Sequence, residues 1–391
     1  MKALITFFGI CLLNITCSSN YLNACHDVPP EDLKDGLKVG TLNEAGIDPA
    51  PVLEAARRIE SGKYGEVHSL LIYRENMLVF ESYFQGHDYQ WEAPRHYGEV
   101  VNWERHMLHH AHSVSKSITS LCVGIAIEKG FIRDIHQSIF EYLPEYQYLK
   151  TNENQNITIE NLLTGTSGLL WAEWSAPLSS MENDQIAMWF HEKGPVDFVL
   201  GRPVIAAPGT HFTYSGGNIE LLGVIVENAS GMSFEEFSEK YLFVPMGMDQ
   251  AEWDLIYPTG EVEAAGGLRI TPREMAKIGA LMLNDGVWNG EQIIPVRWIE
   301  KCKFPFPACM DINIPGEDLD HMGYSYAWWT KQINYKGKVI NWFSANGWGG
   351  QQIIVLPELK TVLVFTGASY TKKVKEYKIF ERYILPALID G

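Results

Sequence analysis

The segment from Ser113 to Glu128 constrains the fold more than any other part of this sequence. It has the residue pattern of a helix, it is apolar on nearly every face, and it ends before Gly130. A helix that is apolar all round must be covered by other elements on every side. The sequence therefore predicts a central, buried helix. The chain of 391 residues is long enough to build one large α/β unit or two domains of moderate size around it.

Residue patterns typical of β-strands occur near both ends of the chain. They predict strands, in pairs joined by short polar turns, over residues 69–73, 77–83, 352–356 and 361–365. Helix patterns fill the sequence between these pairs, and further helices are predicted at residues 51–59 and 373–385. Strands from both ends with helices between them predict one sheet and a helical insertion at about residues 131–250.

The composition excludes some partners and cofactors. The chain has 31 basic and 48 acidic side chains, and its net charge of −17 repels phosphate backbones, so no nucleic acid partner is expected. The six cysteines show neither a C-x-x-C pattern nor a Cys/His spacing typical of metal ligands. Cys302 and Cys309 could be joined in an oxidising compartment, and the sequence leaves that pairing open.

The N-terminal segment has the features of an export signal. Lys2 is followed by an apolar run at residues 3–13, which is too short to span a membrane. This pattern predicts a secretory signal peptide over residues 1–24, with cleavage near Cys17 or Cys25. Either cysteine could carry a lipid anchor. We therefore expect an exported protein that is periplasmic, secreted or held at the membrane as a lipoprotein.

Ser113 and Lys116 form an S-x-x-K pattern at the start of the apolar helix. The spacing places hydroxyl and amine on one face, at the helix end whose N–H groups stabilise negative charge. Burial disfavours an ammonium ion, so this lysine is expected to lose its proton and serve as a base. The alternative interpretation is an accidental tetrapeptide whose lysine extends to solvent.

Two glycine-rich segments further along the chain are candidate parts of the same site. Tyr214 lies in a turn sequence at residues 212–218, from which its phenol can project. Residues 345–351 (Ala-Asn-Gly-Trp-Gly-Gly-Gln) precede a predicted strand, where glycines permit close approach to the backbone. Taken singly, each segment could equally be a structural turn.

In order and spacing, these three segments resemble the motifs of the serine β-lactamase and penicillin-binding-protein superfamily. The resemblance is strongest to class C β-lactamase-like hydrolases, including family VIII esterases and 6-aminohexanoate-oligomer hydrolases. Further similar stretches lie at residues 158–169, 208–215, 266–277 and 286–290. The resemblance implies a β-lactamase/transpeptidase-like α/β (α+β) fold over residues 25–391. In that fold an antiparallel sheet is flanked by helices and carries a helical subdomain.

The resemblance also implies a role for each matching residue. Ser113 matches the acylated nucleophile, Lys116 matches its lysine partner, and Tyr214 matches the tyrosine that shuttles protons with the lysine. The oxyanion hole is expected from the backbone N–H groups of Ser113 and Gln351. A shift of one residue in the alignment would replace Gln351 with Gly350.

Two departures from the family pattern concern the substrate. Gly216 stands where many relatives have an asparagine that bonds the substrate amide, and Trp348-Gly349-Gly350 stands where they have K-T-G. These four residues are the expected substrate-binding residues. The K-T-G lysine and threonine commonly hold the carboxylate of β-lactams and D-alanyl peptides. Their absence therefore favours neutral esters.

The sequence thus predicts an exported serine hydrolase that cleaves a small-molecule ester or amide through an acyl-enzyme. Carboxylesterase activity is favoured, and no cofactor or metal is expected. One alternative is a β-lactamase or D-alanyl-D-alanine carboxypeptidase, in which Arg269 or Arg273 could replace the missing cation. Another is a non-catalytic binding protein on the same fold.

Other reactive side chains are weaker candidates. The histidines that precede the helix invite a metal-site interpretation: His106, His109, His110 and His112. No partner cluster accompanies them, so a metal site is not expected. Ser167 lacks the second glycine of the G-x-S-x-G pattern and is interpreted as part of a turn.

Overall fold

The central feature of the fold is a sheet built from both ends of the chain. The computed structural model describes residues 27–390, and the predicted signal segment with Cys17 and Cys25 lies outside them. The strands are β1 (Val67–Arg74), β2 (Met77–Tyr83), β3 (Gln85–Tyr89), β4 (Tyr97–Asn102), β5 (His109–His110), β6 (Ala251–Trp253), β7 (Leu268–Ile270), β8 (Val287–Trp288), β9 (Glu291–Gln292), β10 (Gly323–Ser325), β11 (Trp328–Tyr335), β12 (Lys338–Gly347), β13 (Gln351–Leu356) and β14 (Thr361–Gly367). Seven of them form an antiparallel sheet in the order β10-β11-β12-β13-β14-β1-β2.

Helices surround this sheet. The α-helices are α1 (Pro49–Glu60), α2 (Val114–Glu128), α3 (Ile159–Leu163), α4 (Asp184–Trp189), α5 (Gly194–Leu200), α6 (Gly216–Ser230), α7 (Phe234–Ser238), α8 (Pro272–Leu283), α9 (Val296–Lys303), α10 (Glu376–Ile379) and α11 (Leu385–Ile389). Shorter helical turns of the 3-10 type lie at Pro94–His96, Ile139–Glu141, Pro144–Leu149, Val244–Met246 and Pro357–Leu359. Turns of the π type lie at Glu239–Phe243 and Phe380–Ile384.

The predicted pairing of N-terminal with C-terminal strands is confirmed. Strand β1 pairs with β14, with Leu71 opposite Val364, and both strands are buried along almost their whole length. Such strands need cover on both faces. On one face α8 lies so close that a Cβ on Gly279 would be 2.3 Å from Val362, and on the other face the Trp342 ring stacks on Tyr377. The sheet is therefore flanked by helices, as predicted.

The apolar helix α2 lies at the centre of the molecule. Its residues from Val114 to Ala126 are all buried, and it packs against α6 and against β12 and β13. Gly124 lets the Trp298 ring approach, since a Cβ there would lie 2.7 Å from a ring carbon. Ser113 is the N-cap residue of α2, so its hydroxyl lies at the helix end, as the spacing predicts.

The segment between α2 and β6 is helical in all of its regular elements within the described chain. Its helix α6 packs against α2, α5 and α7. Helix α7 begins with a reciprocal capping box in which Ser233 and Glu236 bond each other's backbone N–H groups. This segment corresponds to the helical insertion predicted at about residues 131–250.

The C-terminal helix differs from its prediction. The sequence predicts a helix over residues 373–385, but the helical stretch begins at Glu376 and reaches Ile389 through a π turn. Its first predicted turn is lost because Val374 forms a β-bridge with Glu317, in which its backbone N–H donates to Gly316 O at 2.9 Å. A tertiary contact therefore overrides the helical pattern.

The sequence left open whether Cys302 and Cys309 are joined. Cys302 and Cys309 are both buried free thiols, and the Cys309 thiol donates to Thr164 O at 3.2 Å. The disulfide that the sequence left open is thus not formed.

None of the helices found between residues 27 and 390 has the length and apolar character needed to cross a bilayer.

Glu376, at the start of α10, is a fully buried carboxyl group in contact with the hairpin between β12 and β13. A Cβ on Gly350 would lie 2.2 Å from its Oε1, so only glycine leaves room for the carboxyl group. Burial raises the pKa of Glu376 to about 8, against partial stabilisation of the charge by backbone N–H groups of Lys375 and Glu376. At neutral pH this side chain is mainly protonated.

We predict that Glu376→Gln makes the fold less sensitive to alkaline pH. Since the folded pKa of about 8 lies above the reference value of 4.5, the folded chain keeps a proton that the unfolded chain releases. Folding stability therefore falls as pH rises from about 5 to about 8. The variant should match wild type at pH 5 and exceed it at pH 9 by roughly 1–4 kcal/mol in urea unfolding. Glu381→Gln, exposed on the same helical stretch, is the control. Equal pH dependence of wild type and Glu376→Gln would contradict the prediction.

Candidate active site

Ser113 and Lys116 are in direct contact. The Lys116 Nζ donates to Ser113 Oγ at 2.9 Å and to Ala265 O at 3.2 Å. The Lys116 side chain is buried, whereas Ser113 is half-buried and lines an open cleft. The alternative in which Lys116 extends to solvent is therefore wrong, and its amine contacts the serine hydroxyl.

Tyr214 completes the group around the serine. Its hydroxyl lies near Ser113, and Lys116 Nζ lies 5.0 Å from the centre of its ring. The ring is held by stacking on Trp174, with centroids 4.7 Å apart, and on Trp329, at 5.7 Å. Burial, and then the nearby Glu173 charge, raise the pKa of Tyr214 well above its usual value. The phenol is therefore a neutral proton donor at neutral pH.

Glu173 is a site residue that the sequence reasoning missed. Its Oε1 lies 3.6 Å from Lys116 Nζ, while its Oε2 accepts from the Gly216 N–H at 2.6 Å and from Trp171 Nε1 at 2.8 Å. The surroundings of Lys116 are thus not simply apolar, because a carboxylate beside an amine stabilises its charged form. This corrects the argument that burial alone prepares the lysine as a base. Glu173 lies in an irregular loop with no pattern to mark it.

Two further buried carboxyl groups lie behind Lys116. Glu220 accepts from the N–H groups of Ala264, at 2.9 Å, and Ala265, at 3.1 Å, and so fixes the loop whose carbonyl binds the lysine. Glu263 accepts from Gln185 Nε2 at 2.9 Å. Burial raises the pKa of Glu263 to about 7, although the Lys116 charge opposes this shift. These contacts position the lysine from the side away from the serine.

Gly216 is required by packing. A Cβ at this position would lie 2.2 Å from Gln185 Oε1 and 3.3 Å from Glu173 Oε2. The asparagine of the family pattern therefore has no room here. Gln185, which lines the cleft, places a side-chain amide next to the same position. No sequence signal identifies this replacement, because Gln185 lies on the separate helix α4.

The segment from Gly347 to Gly350 forms a tight turn at the cleft. The Gly350 N–H donates to Gly347 O at 3.2 Å, and Gly349 has a φ of +86° that favours glycine. A Cβ on Gly347 would lie 2.2 Å from Ala111 O, so the turn lies directly against the segment before Ser113. Trp348 is held over the cleft by a 3.1 Å bond from its Nε1 to Tyr370 O.

The turn precedes the residues expected to complete the oxyanion hole. Gly347, Trp348 and Gly349 line the cleft, and Gln351 begins β13 opposite Gly347. The buried Nε2 of Gln351 donates to Gly367 O and so fixes this residue. Because the Gly350 N–H is engaged by Gly347 O, the Gln351 backbone N–H stays the predicted second donor.

The cleft has a volume of about 820 Å³ and an aromatic lining. Six of the lining rings are Tyr89, Trp91, Trp174, Trp329, Trp348 and Tyr370. Tyr89 and Trp91 belong to β3 and the loop that follows it, which forms one wall. The lining is therefore suited to apolar groups.

The four histidines before α2 do not converge on one point. His106 is exposed beside Glu104, and His109 is buried against Trp103 at a centroid distance of 3.9 Å. His110 and His112 line the cleft. Burial lowers the pKa of His110 to about 4 and that of His112 well below its usual value, so both rings are neutral.

The other candidate side chains lie outside the cleft lining. The buried hydroxyl groups of Ser115 and Ser167 accept from Leu268 N–H, at 3.2 Å, and Leu169 N–H, at 3.4 Å.

Neither of the candidate arginines supplies a cation to the cleft. Arg273 is buried in ion pairs with Glu81 and Asp35, and Arg269 lies beside Glu252 and Asp254. Both are engaged in salt bridges away from Ser113, and neither lines the cleft.

Ser113, Lys116 and Tyr214 thus lie together at the start of α2, as the family pattern predicts. The chain belongs to the Beta-lactamase family, whose profile matches residues 68–378. It is 27% identical to a 6-aminohexanoate-dimer hydrolase of Paenarthrobacter ureafaciens, over 67% of this chain and 65% of that protein. It is 31% identical to a penicillin-binding protein of Bacillus subtilis (strain 168), over 70% of this chain and 62% of that protein. The chain thus spans just under two thirds of the length of these relatives.

A solved family VIII carboxylesterase shares the fold. It superimposes with a TM-score of 0.63 at 16% identity, covering 86% of this chain and 96% of the esterase. At this identity the likeness concerns the fold alone. The predicted superfamily and fold class are confirmed.

We predict that Ser113→Ala abolishes covalent labelling by a fluorophosphonate, because no other hydroxyl in the cleft contacts Lys116. Intact mass spectrometry should show one adduct on wild type and none on the variant. Lys116→Ala should slow labelling by about 10²–10⁴-fold, and the double variant should lose little more, since both residues serve one proton transfer. Ser167→Ala, which removes a hydroxyl outside the cleft, should label like wild type. An adduct on Ser113→Ala would move the nucleophile elsewhere.

Proposed function

We propose that this protein hydrolyses small esters, and less efficiently amides, through an acyl-enzyme on Ser113. The observation that carries the proposal is the 2.9 Å contact between Lys116 Nζ and Ser113 Oγ, next to the Tyr214 hydroxyl. A nucleophile, a base and a second proton carrier within hydrogen-bonding reach are the requirements of nucleophilic catalysis.

In the proposed reaction Lys116 is the base that receives the serine proton. Ser113 Oγ attacks the carbonyl carbon while its proton passes to Lys116, and the resulting ammonium is stabilised by Glu173 and Ala265 O. Tyr214 gives its proton to the leaving oxygen as the bond from the carbonyl carbon breaks, and Lys116 returns a proton to Tyr214. Water then repeats the sequence on the acyl-enzyme and releases the acid.

The negative charge of the tetrahedral intermediate needs two N–H donors. We assign these to Ser113, at the start of α2, and to Gln351, the first residue after the turn that lies against Ala111. Loss of one such donor in a hydrolase costs roughly 2.7–4 kcal/mol of transition-state stabilisation. The glycines on either side of Trp348 allow this approach of two backbone segments.

The cleft supports esters as the substrate class. Trp348 replaces the cationic lysine of K-T-G with an apolar ring, and both candidate arginines are engaged elsewhere. The relationship to a 6-aminohexanoate-dimer hydrolase supports hydrolysis of a small substrate. A β-lactam or D-alanyl peptide substrate is the second candidate. It is favoured by the relationship to a penicillin-binding protein and by Lys372, an exposed cation that lines the cleft.

Export remains part of the proposal. Its support is the sequence of residues 1–24, with Lys2 followed by an apolar run, and the cysteines at positions 17 and 25. An exported hydrolase would meet its substrate outside the cytoplasm, either free or attached to a membrane by lipid.

We predict a strong preference for neutral esters over anionic β-lactams. The kcat/KM for p-nitrophenyl butyrate should exceed that for a chromogenic cephalosporin by about 100-fold, because a missing charge pair in a shielded cleft is worth a few kcal/mol. Trp348→Lys should narrow this ratio, while Trp91→Lys, at the cleft edge, controls for added charge. A wild-type ratio near one would favour the β-lactamase alternative.

We further predict that the mature protein from its native host begins near position 17 or 25. N-terminal sequencing and intact mass should show removal of the leading segment. Metabolic labelling with a fatty-acid probe should distinguish an anchored from a free form, with Cys17→Ala and Cys25→Ala identifying the modified residue. A protein that keeps Met1 would refute export by this route.

A further inference from the structure

The charges that line the cleft are mainly negative. The carboxyl groups of Glu92, Glu173, Glu263 and Glu317 face it, against the amines of Lys116 and Lys372. Lys116 is engaged by Ser113 and Glu173, and Glu263 is bonded to Gln185. Glu317 is therefore a half-buried carboxyl group of the lining that is not bonded to Ser113, Lys116 or Gln185.

Glu317 has a defined position beside the catalytic group. Its backbone bridges to Val374, and its Oε2 accepts from Asn346 Nδ2 at 3.2 Å. Its charge raises the pKa of Tyr214, so its field reaches the catalytic hydroxyl. Within residues 27–390 the nearby lysines Lys373 and Lys378 pair with the adjacent Asp318 and form no ion pair with Glu317.

The lining of the same cleft also contains a set of aromatic rings. Trp348 and Tyr370 lie 4.8 Å apart between centroids, and Tyr89 lies 5.2 Å from Tyr370 and 6.3 Å from Trp348. The bond from Trp348 Nε1 to Tyr370 O fixes two of these rings. Aromatic faces attract cations through their quadrupoles, most strongly where water is excluded.

Aromatic rings and the Glu317 carboxyl group favour the same ligand chemistry. Rings alone would accept any apolar group, and a carboxyl group alone would accept any hydrogen-bond donor. Together they fit a positive charge carried by an apolar body, such as an alkylammonium group. The net charge of −17 adds a long-range attraction of the same sign.

We propose that the cleft selects esters that carry an alkylammonium group, with Glu317 as the residue that determines this specificity. The inference rests on the proposed ester hydrolysis and names its substrate class. Burial raises the pKa of Glu317 to about 8, and a bound cation would favour its ionised form. Glu317 acts on the substrate and takes no part in the bond-breaking steps.

The test uses two thioesters that differ only in charge. Acetylthiocholine and its neutral carbon analogue, S-(3,3-dimethylbutyl) thioacetate, are hydrolysed at low salt and the released thiol is measured. Wild type should show a kcat/KM ratio of about tenfold or more in favour of the cation. Glu317→Gln, which keeps the acceptor for Asn346, should bring the ratio close to one. Glu291→Gln, the same charge change on an exposed residue outside the cleft, should retain the wild-type ratio.

The outcomes separate this inference from the proposed function. If wild type cleaves the neutral thioester with a ratio of one or below, the ester hydrolase stands and cation selection is overturned. An equal ratio in wild type and Glu317→Gln overturns the role of Glu317. If wild type cleaves neither thioester, ester hydrolysis fails, and binding of butyltrimethylammonium, followed by tryptophan fluorescence, decides the cation site alone. At least fivefold weaker binding to Glu317→Gln supports the site, and unchanged binding overturns it.

Discussion

Burial of Lys116 beside Ser113 is the constraint on which the rest of the site depends. An amine inside a protein needs hydrogen-bond acceptors, because an unpaired buried charge costs several kcal/mol. Here Ser113 Oγ, Ala265 O and Glu173 supply them. The Ala265 N–H is bonded in turn to Glu220, so the position of the lysine amine depends on this loop as well as on the Glu173 carboxylate. The same contacts keep Nζ directed at the nucleophile.

Close backbone approach is the second condition for this site. Gly347 lies against Ala111 and Gly216 against Gln185, at distances that no side chain would permit. The turn at Gly347 lies against the segment before the serine, and the missing side chain at Gly216 leaves room for Glu173 and Gln185. The proposed substrate preference rests on the same positions at which the chain departs from the family pattern.

The character of the substrate cleft depends on the side chains that these contacts leave free. Several acidic and basic groups around Ser113 are engaged, so the rest of the lining is mainly aromatic, with the carboxyl groups of Glu92 and Glu317 and the amine of Lys372. The arginines that could have restored an anion-binding site form ion pairs with Glu81, Asp35 and the acidic residues on and after β6. The proposed specificity of the cleft therefore depends also on ion pairs that form elsewhere in the molecule.

The sequence by itself determined the parts of the structure that depend on local patterns. Alternating and apolar runs predicted the strands at both ends, and the apolar helix with its S-x-x-K placed Ser113 and Lys116 one turn apart. It did not identify Glu173, Gln185 or Glu317, nor the close approach of the turn at Gly347 to Ala111. It also mistook the start of the last helix, because Val374 bonds to Gly316. These features arise where distant loops meet, and only the tertiary structure decides which polar groups then face each other.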